Sequence, residues 1–308
     1  MQRFRNILLL QDRTPRGRKA LDRATDLARR NGAMLTVVEV LEEEVESLPA
    51  VRAGGEEIDL RRLLIEDRAA ALEKLATPLS EQGVRVQTRV LAGNPFLVVT
   101  REVIRNGHDL VLLTTEGNSG LKQHLFGSTT RHLIRKCPCP IWAVHPSRSR
   151  RRCCVLAAVD PPDEDPAGDD LDRRILEMGS SLARMYDGEL DVVHAWQKMP
   201  HSARVPRRVM EQWNAEAHER ARERLQALLD EHDLNGLKVR IHLPGGAAGL
   251  AVAQVAGDQH SEVVVMGTVS RTGVAGLLVG NTAETVLQYI DASVLAVKPA
   301  GFVSPVTA

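Results

Sequence analysis

The chain has 308 residues, 43% hydrophobic and 26% charged, and its 40 basic side chains balance its 40 acidic ones. Zero formal charge gives no whole-molecule steering toward nucleic acid or an anionic membrane, and 3% aromatic content is too little for a base-stacking platform. No run approaches the ~20 apolar residues of a membrane span, and the N-terminus lacks the longer apolar region of a signal peptide. The expectation is therefore a cytoplasmic protein of about two domains, at roughly 150 residues each.

In chain order the first half alternates strands and helices. "NILLL" (6–10) reads as a short buried strand ending just before Asp12. "RGRKALDRATDLARRNG" places Ala20, Leu21, Ala24, Leu27 and Ala28 on one helical face, with Asn31-Gly32 as its stop. "AMLTVVEVL" is strand two, and a long polar insertion separates it from a second helix over 58–83. "VRVQTRVL" is strand three, "PFLVVTREVIRNG" helix three and "LVLLT" strand four. A glycine-containing loop, helix four ("TTRHLIRK") and strand five ("PIWAV") complete the set.

The second half repeats it. "HDLVLLTTEGNSGLKQHLFGSTTRHLIRKCPCPIWAVHP" (108–146) lies on "SEVVVMGTVSRTGVAGLLVGNTAETVLQYIDASVLAVKP" (261–299) without a gap, at an offset of 153, and Gly93 falls on Gly246 at the same offset. Strand one repeats at an offset of 148, with Asp12 on Asp160. A period of a whole domain means a duplicated fold rather than a solenoid. The seam "PSRSRRRC" (146–153), with Arg148, Arg150, Arg151 and Arg152, reads as a solvated linker. The domains are then 1–147 and 148–308. Strands alternating with helices predict two tandem doubly wound α/β domains, each with a five-stranded parallel sheet.

In such sheets ligands sit beyond the carboxyl ends of the strands, where strand order reverses. An aspartate follows strand one in each half (Asp12, Asp160), and a glycine loop follows strand four. The loops end at helix starts, "GSTT" (127–130) and "GNTAE" (280–284), where exposed N–H groups and the helix dipole favour an anion. Ser128 and Asn281 are good N-cap types, and Asn281 with Glu284 has the spacing of a capping box, which needs no ligand.

This pattern resembles the universal stress proteins, in copies covering nearly all of 4–299, and most of all their tandem E-type branch. Nucleotide-binding members carry G-x2-G-x9-G-S/T after strand four and an Asp after strand one, on a Rossmann-like fold. The resemblance implies that in the second half Asp160, Gly267, Gly280, Asn281 and Thr282 face the ligand, with Ser270 standing at the middle glycine position. In the first half it assigns Asp12, Gly117, Gly127 and Ser128, with Thr114 at the opening glycine position. It further implies that strand two offers its backbone to the adenine around Val40 and Ala195. Each copy departs from the pattern, the second less seriously. The expected ligand is ATP or another adenine nucleotide, with no metal.

Other motifs read blandly. Asp163, Asp165 and Gly168 fit a calcium loop, but Ala167 and Arg174 fall where ligands are required. Cys137, Cys139, Cys153 and Cys154 lack zinc-ribbon spacing and read as small buried or half-buried residues in two strands. His194 stands near the crevice with no evident partner, and Arg204, Arg207 and Arg208 read as a solvated face. No P-loop, zinc helix or nucleophile elbow is present. The expected function is a non-enzymatic stress-response protein; the alternative is an interaction scaffold with degenerate crevices, empty or filled by an apolar molecule. The two halves are expected to pair pseudo-symmetrically through their fifth strands, with self-association and unidentified protein partners open.

Overall fold

The computed structural model describes residues 3–42, 50–53, 56–115, 126–146, 153–163, 170–200, 204–268 and 280–307. Its contacts divide the chain into two compact units, the first including the tail from Val303 and the second ending at Phe302.

In the first unit the strands are β1 (Asn6–Leu10), β2 (Met34–Leu41), β3 (Ala50–Ala53), β4 (Glu56–Asp59), β5 (Arg85–Ala92), β6 (Leu110–Thr114) and β7 (Ile141–Val144). The helices are α1 (Gly17–Asn31), α2 (Leu60–Glu81), α3 (Pro95–Asn106) and α4 (Ser128–Lys136). Five strands form one parallel sheet in the order β7-β6-β1-β2-β5. Order therefore reverses between β1 and β6. Ile7, Leu8 and Leu9 are consecutive and fully buried, which requires cover on both faces of the sheet. Each such side chain contributes about 1.5–3 kcal/mol by leaving water. The predicted face of α1 is the buried one, and the helix stops at Gly32 in the left-handed conformation, φ 60°.

The second unit contains β8 (Cys154–Ala158), α5 (Asp170–Met185), β9 (Glu189–Val193), α6 (Arg207–Asp230), β10 (Val239–His242), α7 (Ala248–Asp258), β11 (Val263–Gly267), α8 (Asn281–Tyr289) and β12 (Ser293–Val297). Its parallel sheet runs β10-β9-β8-β11-β12, so the reversal lies between β8 and β11. The repeat is visible in the backbone. Gly93 and Gly246 take φ 120° and 136°, a region closed to most side chains, and each donates its N–H at 2.9 Å to the end of strand two, to Leu41 O and Trp196 O.

Three expectations need correction. The second helix starts at Leu60 rather than at 58, since Ile58 and Asp59 belong to β4, which pairs antiparallel with β3 (Ala50 opposite Asp59), and Asp59 then caps α2 by accepting from Arg62 N. Of the cysteines only Cys154 stands in a strand; Cys137 caps the end of α4, Cys139 precedes β7 and Cys153 precedes β8. His194 has partners, described below. The arginine seam (148, 150–152) lies outside the described residues. Among the described residues no helix is long and apolar enough to cross a membrane.

The interiors differ in polarity. Asp191 on β9, fully buried, receives Arg240 of β10 through two bonds of 2.8 Å, His242 at 2.8 Å and the Cys154 thiol at 2.9 Å. Burial pushes the Asp191 carboxyl up, but these donors, Arg240 foremost, hold it below the usual carboxylate range. Burial and the same carboxylate push the Cys154 thiol up to about 12. The matching pair in the first unit is neutral, with Gln87 Nε2 donating to Thr36 Oγ1 at 2.7 Å.

Candidate functional site

In the second unit three backbone ends converge. β8 runs out at Ala158, Val159 N bonds Val193 O at 3.0 Å, and Asp160 N is then caught by the buried Asp172 Oδ1 of α5 at 3.0 Å. That bond turns the chain and leaves the Asp160 carboxylate 79% exposed. β11 ends at Gly267, and Gly280 N bonds Thr268 O at 3.3 Å, so the start of α8 is tied back to the end of the strand. Beyond β9, His194 and Trp196 donate to His242 O and Pro244 O on the β10 side. Alternation along a strand therefore aims the Ala195 N–H and C=O at the space where β8 has already turned away.

These ends enclose a cavity of about 480 Å³ lined by Asp160, Ala195, Gly267, Gly280, Asn281 and Thr282, with walls from Leu171, Ile175, Val252 and Met266. The size and the mostly apolar lining with a few polar groups suit a small organic ligand. All the described residues assigned to this half thus share one cavity; Ser270 lies outside the described residues.

Two local readings change. Gly280, not Asn281, is the N-cap of α8, with no side chain capping it, so Asn281 is the first helical residue and the capping box with Glu284 does not form. At φ −61° Gly280 uses no glycine-only conformation. Gly267 has a packing reason for lacking a side chain, since a Cβ there would lie 2.7 Å from Leu171 Cδ2. Leu171 of α5 thus fills the space beside the strand end and forms cavity wall.

Behind Asp160 sits a polar set. His194 is buried, 3.6 Å from Asp160 Oδ1, with Nδ1 3.3 Å from Val159 O and Nε2 3.4 Å from Arg224 Nη2. A guanidinium only donates, so Nε2 accepts and the proton is on Nδ1, facing Val159 O and Asp160. Arg224 also holds Asp163 at 2.6 Å, which uses the first carboxylate of the discarded calcium loop; Asp165, Ala167 and Gly168 lie outside the described residues. Arg174, at the loop's last ligand position, lies 4.0 Å from Asp170. Buried Lys298, after β12, donates to Thr268 Oγ1 at 2.9 Å and lies over the Phe302 ring.

The first unit brings less together. Leu10 and Leu113 are paired, so Asp12 and Thr114 leave neighbouring strands at the same end of the sheet. The Asp12 carboxylate is turned onto its own loop, accepting from Thr14 N at 2.8 Å and Thr14 Oγ1 at 2.7 Å. The cavity that includes Asp12, about 630 Å³, runs between α1 and α2 along Arg18, Asp22, Leu75 and Leu79, and its lining does not include Val40, Thr114, Gly127 or Ser128. Gly127 is the N-cap of α4 at φ −62°, again without a side-chain cap, and Ser128 is the first helical residue. Gly117 lies outside the described residues. Thr114 Oγ1 is buried without a partner among the described residues.

Asp172, Thr268 and the walls Leu171 and Val252 are site residues that the motif does not reveal. Asp172 has one sequence signal, an acid in the first turn of a helix. Among the described residues no group of three or more His, Cys, Asp or Glu is placed to hold a metal ion.

Comparison with known proteins gives one answer. The model of the "Universal stress protein family" matches residues 3–145 and again 155–298. Universal stress protein E of Escherichia coli (strain K12) is 27% identical over 310 residues, covering 99% of this chain and 98% of its own. A functionally unknown protein of Pseudomonas aeruginosa PAO1 superposes with a TM-score of 0.72 at 26% identity, over 97% of this chain and 94% of that one. A universal stress protein of Archaeoglobus fulgidus DSM 4304 shares the fold, with a TM-score of 0.62 at 17% identity over 96% and 97% of the two chains.

Proposed function

The chain belongs to the universal stress protein family, in tandem form, and we propose that it is a non-enzymatic stress-response protein whose second unit binds an adenine nucleotide. The observation that carries this reading is the single cavity shared by Asp160, Ala195, Gly267 and Gly280 at the reversal of strand order. Ala195 offers one N–H and one C=O, the pair an adenine edge can use. Asp160 offers an exposed acceptor to sugar hydroxyls. The uncapped start of α8 offers N–H groups and a dipole to a phosphate. Among the described residues of this lining no nucleophile stands beside a base, and binding rather than turnover is the task we assign to it.

Calorimetry with ATP and AMP tests it. Heat of binding at one ligand per chain, lost in Gly280→Val, is the expected result; no heat from either at millimolar concentration sinks it. A second reading, an interaction scaffold, draws on the first unit, where Asp12 is engaged by Thr14.

We also propose that the units pair through β7 and β12. β7 is apolar throughout and β12 is apolar after Ser293, and each is hydrogen-bonded to one neighbour inside its own unit. Mutual pairing would mask two edges that otherwise invite aggregation. Slow amide exchange at the outward-facing N–H groups of both strands is expected, and fast exchange there overturns the idea.

A further inference from the structure

The turn that joins α4 to β7 carries two thiols in contact. Cys137 Sγ and Cys139 Sγ stand 3.6 Å apart, the first residue fully buried and the second 8% exposed. The turn is fixed at both ends. Cys137 N closes the last bond of α4 on Leu133 O at 2.9 Å, and the Pro140 carbonyl accepts from Val111 N of β6 at 3.0 Å. Between them Pro138 has a locked φ and keeps Cys137 extended, at φ −69° and ψ 135°. The segment carrying both sulfurs is thus anchored to the helix on one side and to the sheet on the other.

Packing at this point of the fold does not call for sulfur. At the offset of 153 Cys137 falls on Ile290 and Cys139 on Ala292, both buried, so the second unit fills the same turn with hydrocarbon. Cys154 is placed differently, with its thiol turned to Asp191 at 2.9 Å, in a strand whose successive side chains leave on opposite faces.

From this contact we propose that Cys137 and Cys139 form a reversible redox site, converted by hydrogen peroxide from a dithiol to an intrachain disulfide. One sulfur, as thiolate, attacks a peroxide oxygen, breaks the O–O bond and becomes a sulfenic acid, releasing hydroxide. The other sulfur then attacks it, forming the S–S bond and expelling the sulfenic oxygen as a second hydroxide. The two thiol protons turn both hydroxides into water, and the two electrons lost by sulfur reduce the peroxide. The sulfurs close from 3.6 Å to about 2 Å. The bond to Cys137 and burial push the Cys139 thiol up, which slows the reaction at neutral pH, and burial limits it to an oxidant near the size of water.

The test is peroxide treatment of the folded full chain, then unfolding in an alkylating reagent, tryptic digestion and mass spectrometry of the peptide 137–148. The expected peptide is two hydrogens lighter than the dithiol form and takes up no alkyl group. After dithiothreitol it should accept alkyl groups on both sulfurs. The peptide that begins at Cys153 is expected to alkylate at both of its cysteines without reduction. Full alkylation of 137–148 straight after peroxide, or only sulfinic and sulfonic products there, overturns the proposal. Equal linking of Cys153 to Cys154 also overturns it, since peroxide would then join neighbouring cysteines without regard to the contact.

Discussion

The two units share a topology and differ in what they place at equivalent points of it. One residue past the paired positions Val38 and Val193 in strand two, the first unit buries Glu39 and the second buries His194. Each is met by arginines suited to its role. Glu39 lies 3.8 Å from Arg13 and 3.6 Å from Arg68, while His194 accepts from Arg224 and faces Asp160. Deeper in the sheet, Thr36 with Gln87 corresponds to Asp191 with Arg240. At the contact between the last two helices, the first unit stacks Phe96 on His132 with ring centroids 4.5 Å apart, with Lys136 over the Phe96 ring, whereas the second sets Gly249 against Thr285. Duplication preserved the backbone bonds and left the polar interior free to diverge.

The largest effect is expected at the buried ion pair. Arg240→Ala leaves Asp191 without its bidentate partner and should cost about 3 kcal/mol in denaturant unfolding. The double change Asp191→Thr with Arg240→Gln, which copies Thr36 and Gln87, should recover most of that. Because the Asp191 carboxyl is depressed, its contribution is complete above the ordinary value of 3.8 and is lost as pH falls through the lower native value. The copied pair should flatten that acid limb. An unchanged limb would mean that the pair is not the acid-sensitive element.

Next comes the helix contact. A Cβ at Gly249 would stand 2.5 Å from Thr285 Cβ and 2.9 Å from Thr282 O, so α8 must shift to admit it. Gly249→Ala should cost about 2 kcal/mol and weaken ligand binding in the same variant. Loss of stability with binding intact would separate α8 from the site. For the two equivalent aspartates, Asp160→Ala should weaken AMP binding about tenfold. Asp12→Ala should leave the affinity as it was, since its carboxylate serves Thr14. Equal effects would erase the proposed distinction between the units.

The smallest effect carries the opposite pH sign. Burial raises the Glu39 carboxyl, with Arg13 opposing, so its ionised form weakens the fold once pH rises through the raised value. Glu39→Gln should therefore stabilise the chain at pH 7 by about 1 kcal/mol or less. Variant and wild type should converge below the ordinary value of 4.5.

The duplicated strand and helix pattern was legible because apolar periodicity and glycine punctuation are local. Gly93 and Gly246 could be matched by eye, and the backbone gives the reason in their shared positive φ. The approach of Asp160 to Gly267 and Gly280 followed from strand order alone. What stayed hidden depends on contacts distant in sequence. Gly267 lacks a side chain because Leu171 occupies the space, and the start of α8 at Gly280 is set by its bond to Thr268 rather than by the capping preference of Asn281. The hairpin of β3 and β4 hid in a stretch rich in acidic residues, which lacks strand periodicity.

At Gly17 in the first unit, a Cβ would fall 2.0 Å from the carbonyl oxygen of Asp12. In the second unit, the corresponding early turn of α5 carries Asp172, the side chain that catches Asp160 N. A side chain at position 17 therefore cannot supply that acceptor in the first half, where the loop from β1 already fills its place. Converting one crevice into the other through this position requires the connection between the first strand and first helix to move as well, so a single substitution at Gly17 is sterically closed.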